Sequence, residues 1–155
     1  MKEARAWGGW ALDRDTARLL ARTLDRRQPK LAVEAGSGMS TDLLTLYCDE
    51  VLTLEHDPQY AHPHATLCEL VDGWYDIELP DEIDFVLLDG PPMSEGREEG
   101  LPRLWPHLAD NFELWMDDAD RTHEEEVVTD WLARFDIWVE YVPTPKGLFI
   151  IRRLP

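Results

Sequence analysis

The sequence predicts a doubly wound α/β fold, a mostly parallel sheet with helices on both faces and a C-terminal antiparallel hairpin. Three observations predict it. Strand-like and helix-like runs alternate along the chain between short turn signals, the pattern of a parallel sheet covered by helices. A glycine turn joins the first apolar run, Lys30 to Ala35, to a helix start. A nearly continuous apolar run, Ile83 to Leu88, ends in Asp89-Gly90-Pro91-Pro92, as expected of a central strand that is buried on both faces and runs into a site loop.

Taken in order, Asp13 caps a first helix whose Ala17, Leu20 and Leu24 recur at helical spacing until Gln28-Pro29 stops it. Lys30 to Ala35 is the first strand. Leu43, Leu44 and Tyr47 mark one face of a short helix, and Val51 to Leu54 form the second strand. Ala65 to Val71 is read as the third strand and Ile83 to Leu88 as the fourth, lying beside the first. Leu101, Leu104, Trp105 and Leu108 mark the next helix, with Pro102 tolerated in its first turn and Pro106 bending or interrupting it. Phe112 to Met116 is the fifth strand. Thr122-His123-Glu124-Glu125 has capping-box spacing ahead of Val127, Val128, Trp131, Leu132 and Phe135. Ile137 to Val142 and Leu148 to Arg152 flank Pro143-Thr144-Pro145-Lys146-Gly147 as a closing hairpin.

At 155 residues, 44% of them hydrophobic, the chain suits one domain over 1–155 with a core that needs no disulfide or structural metal. Cys48 and Cys68 are read as reduced, partly buried thiols. Met1 to Gly9 has no signal-peptide core and no run is long enough to span a bilayer, so the expected location is cytoplasmic, with no membrane partner. A net charge of −17 opposes binding to phosphate backbones, which disfavours nucleic acid and leaves a small molecule as the expected substrate.

The segment Leu31-Ala32-Val33-Glu34-Ala35-Gly36-Ser37-Gly38-Met39-Ser40-Thr41 places two glycines where absent side chains let a ligand approach the backbone. A nicotinamide fingerprint would have a third glycine at Thr41. With Glu34, Gly36 and Gly38 in the order acid, any residue, Gly, any residue, Gly, the sequence resembles the class I S-adenosylmethionine-dependent methyltransferases, a Rossmann-like family. The likeness extends to Leu52-Thr53-Leu54-Glu55, because an acid about twenty residues past the glycine turn is placed to accept both ribose hydroxyls. The resemblance implies that Gly36, Ser37 and Gly38 pack against the methionine part and ribose. It likewise places Glu34 near the amino-acid moiety and His56 along the adenine. Glu69 and Asp72 are alternatives for the adenine amino group.

Ligands of open α/β sheets sit at the carboxyl ends of the strands, and Asp89, Asp117 and Asp118 stand at such ends. Metal-dependent catechol and macrolide-sugar O-methyltransferases resemble this arrangement, an acid after the fourth strand and an acidic pair after the fifth. That likeness implies Mg2+ held by Asp89, Asp117 and Asp118, since magnesium prefers hard oxygen ligands. Asp89, Asp118 and His123 are the candidate catalytic residues. Each has an alternative role: Asp118 or Asp120 serving the start of the last helix, His123 lying on the surface, and Arg97 or Arg121 either holding an anionic substrate or neutralising the acids. His62-Pro63-His64 is read as a surface turn. Amino-methyltransferases carry an acid or Asn followed directly by Pro-Pro and an aromatic, whereas this chain has Asp89-Gly90-Pro91-Pro92-Met93, which shifts the expectation toward oxygen. Trp7, Trp10, Trp74 and Tyr75 form either an aromatic wall or ordinary packing.

The expected function is therefore S-adenosylmethionine-dependent O-methylation of a small hydroxylated or sugar acceptor. A non-catalytic S-adenosylmethionine sensor or complex subunit is the alternative, and a nicotinamide oxidoreductase stands behind both. No long insertion separates the last strands, so either the substrate is large and the site open, or another subunit of a homo-oligomer completes it.

Overall fold

The computed structural model describes residues 11–155; the expectation for Trp7 and Trp10 lies outside the described residues. Helix α1 (Arg14–Arg27) starts where the Asp13 carboxylate accepts hydrogen bonds from the Thr16 N–H at 2.8 Å and the Thr16 hydroxyl at 2.9 Å. It ends at Gln28, in the left-handed region with φ 47°, whose N–H bonds the Leu24 carbonyl. Strand β1 (Leu31–Ala35) follows, then helix α2 (Met39–Tyr47) and strand β2 (Glu50–Glu55). Strands β3 (Ala65–Leu67), β4 (Leu70–Val71), β5 (Trp74–Tyr75) and β6 (Ile83–Leu88) come next. Helix α3 (Gly100–Leu104) leads to β7 (Leu108–Asp117), helix α4 (Thr122–Arg134), β8 (Ile137–Val142) and β9 (Leu148–Arg153).

Seven strands form one sheet in the order β3-β2-β1-β6-β7-β9-β8. The first five positions pair in parallel, and β9 enters antiparallel between β7 and β8. Strand order reverses between β1 and β6, which makes the carboxyl edge there the switch point of the fold. Strand alternation divides the core into two layers. Ala32, Phe85, Leu87 and Trp115 face α1 and α2, packing on Leu20, Leu24 and Leu44. Val33, Val86, Leu88, Leu114 and Met116 face the other way, onto Leu101, Leu104, Val127, Val128 and Trp131 of α3 and α4. Both sulfhydryls are free, and burial pushes the Cys48 thiol up to about 12. No helix among the described residues is long and apolar enough to cross a membrane.

Three elements differ from expectation. The run Ala65 to Val71 is not one strand: β3 pairs with β2, whereas β4 turns back on β5 as a separate antiparallel hairpin. Asp72 and Gly73 at its tip have φ 51° and 80°, the paired positive angles that match a two-residue turn to strand twist. This hairpin occupies the crossover between β3 and β6, where a helix would otherwise lie, and buries Trp74 and Tyr75 in the α3–α4 layer. Second, Pro106 ends the helix: Trp105–His107 is a 3-10 turn, and Leu108 already belongs to a longer β7. Third, the capping box does not form. Arg121 N–H bonds the Asp118 carbonyl at 3.0 Å, so the chain turns into α4 with Arg121 at the cap position and Thr122 inside the helix.

Leu24 is fully buried and Leu46, on the outer face of α2, is 71% exposed. Leu24→Ala is expected to cost about 2–5 kcal/mol and Leu46→Ala no more than about 0.5 kcal/mol, read from equilibrium urea unfolding. Equal costs would contradict this assignment of the α1–α2 layer.

Candidate active site

Two turns meet at the switch point. Gly36 leaves β1 with φ 85°, its N–H bonded to the Leu54 carbonyl at 2.9 Å, and a Cβ on it would stand 2.8 Å from the Asp89 carbonyl oxygen. Gly90 lies opposite: a Cβ there would be 3.2 Å from Gly36 Cα and 2.5 Å from the Tyr75 hydroxyl. The two backbones therefore touch with no room for a side chain on either. Gly38 is different, since a Cβ on it would meet nothing within 4 Å, so that flank of the turn opens outward at the start of α2.

Glu34 lies fully buried behind this turn and accepts hydrogen bonds from the hydroxyls of Ser40, Thr41 and Thr53. Burial pushes its carboxyl up to about 7, although the three hydroxyls pull the other way. Thr41, standing where a nicotinamide fingerprint needs glycine, bonds Glu34 at 2.7 Å and accepts the Gly38 N–H at 3.1 Å. Glu55, at the end of β2, is also buried. Its Oε1 accepts from the His56 and Asp57 N–H groups, and its Oε2 from the Ser37 N–H at 3.0 Å and the Ser37 hydroxyl at 3.1 Å. The same hydroxyl has a second acceptor, the Tyr60 carbonyl at 3.0 Å. His56 stands beside Glu55, its Nδ1 3.3 Å from Oε1 and its side chain one-third exposed. Of the two candidates for adenine, Asp72 sits at the hairpin tip and Glu69 is exposed on its flank.

Sequence reasoning missed His62. It is not on the surface but buried: Nε2 lies 2.9 Å from Asp42 Oδ1, Nδ1 accepts the His64 N–H, and its own N–H bonds Ser37 Oγ at 2.9 Å. It thus braces the glycine turn from outside. Tyr75 was also understated, because its hydroxyl is buried against Gly90 with no hydrogen-bond partner among the described residues.

At the ends of β6 and β7 the three expected carboxylates converge, with one oxygen each of Asp89, Asp117 and Asp118 lying within 4.8 Å of one another. Asp89 keeps its side chain 17% exposed. Asp117 is fully buried, and neither of its oxygens has a hydrogen-bond partner among the described residues. Burial first, and then the neighbouring Asp117, hold Asp89 well above the usual carboxylate range; burial and Asp118 push Asp117 up to about 6. Asp118, at φ 62°, is clamped between Arg97 Nη2 and Arg121 Nη1, each 3.2 Å from Oδ2. Arg97 is itself buried. It donates to the carbonyls of Asp117 at 2.9 Å and Pro91 at 3.3 Å, and its Nη2 stands 3.8 Å from Asp89 Oδ1.

Of the two alternatives for these arginines, neutralising the acids is the one the geometry realises. A divalent ion bound here would have to share Asp118 with two guanidinium groups and lie beside the permanent charge of Arg97, which repels it. The residues present fit Mg2+ poorly. His123 does not join the cluster: its Nε2 lies 2.9 Å from Glu98 Oε1, against the loop ahead of α3. A groove lined by Leu31, Glu50, Val51 and Pro80 lies at the opposite, amino end of β1 and β2.

The raised proton affinity of Glu34 has a definite sign. Its folded value lies above the ordinary 4.5, so its contribution is fully present below pH 4.5 and is lost as pH rises through about 7. The stability of the parent relative to Glu34→Gln is expected to fall by roughly 3 kcal/mol across that window, measured by urea unfolding at a series of pH values. A difference that stays flat with pH would remove burial as the cause.

Compared by sequence, the chain matches no family model and no curated protein. Compared by structure, it is similar to a Podospora anserina methyltransferase solved in SAH-bound form, with a TM-score of 0.74 and 16% identity over 94% of this chain and 81% of that one. It is similar to a Geobacter sulfurreducens methyltransferase, with a TM-score of 0.71 and 20% identity over 94% and 82%. A Bacillus cereus O-methyltransferase in complex with SAH gives 0.71 at 12% identity over 93% and 83%. At these identities the likeness speaks to architecture, and it agrees with the strand order and glycine turn described above: the chain has the fold of the class I S-adenosylmethionine-dependent methyltransferases.

Proposed function

We propose that this chain is an S-adenosylmethionine-dependent methyltransferase acting on a hydroxyl of a small-molecule or sugar acceptor. The observation that carries the reading is the juxtaposition at the switch point: the open flank of Gly38, Glu55 at the end of β2 and the partly exposed Asp89 at the end of β6. Neighbours of the same fold solved with SAH support it.

In this reading the Gly36-Ser37-Gly38 turn receives the methionine part and ribose. Glu55 accepts the ribose hydroxyls, with the Ser37 hydroxyl yielding its place on Oε2 and keeping the Tyr60 carbonyl as acceptor. His56 lies along the adenine. Glu34, held by three hydroxyls, stiffens the turn beneath the amino-acid moiety. The donor supplies an electrophilic methyl group on a sulfonium. The acceptor oxygen bonds to the methyl carbon as the carbon–sulfur bond breaks onto sulfur, and the hydroxyl proton passes to the Asp89 carboxylate. Asp89 is the most exposed of the three clustered carboxylates and so the one a substrate hydroxyl can reach. Asp118, locked by two arginines, is a positioning residue here, and His123, paired with Glu98, takes no part.

A sensor or complex subunit on the same fold would bind the donor and turn nothing over. The short connection between β8 and β9, which supplies little substrate cover, favours that second reading. Asp89 speaks against it, since a sensor has no use for a base at the reacting end. Thr41, tied to Glu34, speaks against the nicotinamide reading.

Isothermal titration with S-adenosylhomocysteine and with NAD separates the three. S-adenosylhomocysteine is expected to bind and NAD not, and Glu55→Ala is expected to weaken S-adenosylhomocysteine by about 10-fold or more, as loss of hydrogen bonds to a charged acceptor implies. Asp89→Asn is expected to keep donor binding but cost about 100-fold in turnover. Undiminished binding by Glu55→Ala, or preference for NAD, would sink the proposal.

A further inference from the structure

We infer that Arg97 is the built-in cation of the Asp89–Asp117–Asp118 cluster, holding the place a divalent metal would otherwise take, so that the site works without metal and becomes a divalent-cation site when Arg97 is removed. This deepens the proposed methyl transfer, but its metal-binding arm stands independently of that reading.

Four contacts carry the inference. The guanidinium reaches a carboxylate of the cluster through Asp118 Oδ2 at 3.2 Å and stands 3.8 Å from Asp89 Oδ1. It is also fixed from behind by the Asp117 and Pro91 carbonyls. A guanidinium stays protonated at every accessible pH, so its charge there is permanent. The second observation is Asp117: both its oxygens are buried and unpartnered among the described residues, at the centre of a carboxylate set that converges within 4.8 Å. The cluster therefore holds the hard oxygen donors that a divalent ion takes, and what argues against an ion is the positive charge already seated among them. Arg121, one-third exposed, pairs with Asp118 and Glu124 among the described residues. Removing Arg97 takes from Asp89 the cation that stands beside it and leaves Asp117 only the more diffuse influence of Lys146.

The probe is Mn2+ alone, followed by electron paramagnetic resonance of the free ion and by calorimetry. The parent is expected to show no saturable site, and Arg97→Lys, which keeps a cation, is expected to behave like it. Arg97→Gln is expected to gain one Mn2+ per chain, at least 10-fold tighter than any parent binding, and the Arg97→Gln/Asp117→Asn double variant is expected to lose it. Saturable, stoichiometric Mn2+ binding by the parent that Asp117→Asn abolishes would overturn the inference, as would a folded Arg97→Gln that gains no site. Circular dichroism establishes whether each variant is folded. If Arg97→Gln fails to fold, the parent and Asp117→Asn measurements decide alone.

Discussion

The carboxyl edge of the sheet depends on one contact, the backbone of Gly36 against the backbone of Asp89 and Gly90. It ties the turn after β1 to the turn after β6, and the ladder bonds Gly36 N–H to Leu54 and Asp89 N–H to Ala35 draw β2 into the same block. Glu55 and Asp89, from strands that are not adjacent, hold their relation because nothing can slide between these turns. A side chain at either glycine would push the turns apart and separate Glu55 from Asp89. Tyr75 seals the contact from below, which explains why the hairpin that bears it lies under the site rather than out in solvent.

Around that contact the chain handles buried carboxylates in two ways. Glu34 is wrapped by three hydroxyls, neutral donors that satisfy its oxygens yet leave its proton affinity high. Asp118 is paired directly with two guanidinium groups, Asp89 has Arg97 beside it, and Asp117 has Lys146 and then Arg97 as its positive neighbours. Desolvation of a charge costs several kcal/mol unless a partner compensates it. The first solution gives rigidity, because three elements converge on one side chain. The second gives a polarised edge, with the permanent charge of Arg97 on the loop side and the partly exposed Asp89 facing the opening.

Much of this was legible in the sequence because it rests on local rules. Asp13 and Gln28-Pro29 bound α1, the apolar run to Leu88 marks a central strand, and Glu55 and Asp89 follow their strands as the fold requires. The convergence of Asp89 with Asp117 and Asp118 was also legible, since parallel neighbours bring their ends together. What escaped depends on distant partners. His62 is buried because Asp42, twenty residues back, accepts its ring N–H, and no local pattern announces that. Arg97 was legible as one of two arginines able to neutralise the acids, but its burial and its bonds to the Asp117 and Pro91 carbonyls come from the fold. The β4–β5 hairpin has strands of two residues, too short to show alternation, so Leu70-Val71 was absorbed into the preceding run and the Asp72-Gly73 turn read as its end. Thr122 is not the cap for a related reason: the Asp118–Arg121 turn sets the helix start at Arg121, and His123 in the first turn lies against Glu98.

The position of β9 has a consequence for the order of synthesis. It is later in the chain than both its neighbours, yet it lies between them, pairing with β7 on one side and β8 on the other. During translation β7 and β8 therefore emerge with no partner for their facing edges, since they never pair with one another. Leu114 and Met116 of β7 lie in that open strand, which presents unpaired amides beside apolar side chains, the combination that favours association between nascent chains. The gap closes only when Leu148–Arg153 has left the ribosome and inserts, locking α4 against its layer in the same event. Vectorial folding can complete β1, β2 and the glycine turn early, but the half of the sheet that carries Asp117 and Asp118 waits for the last strand.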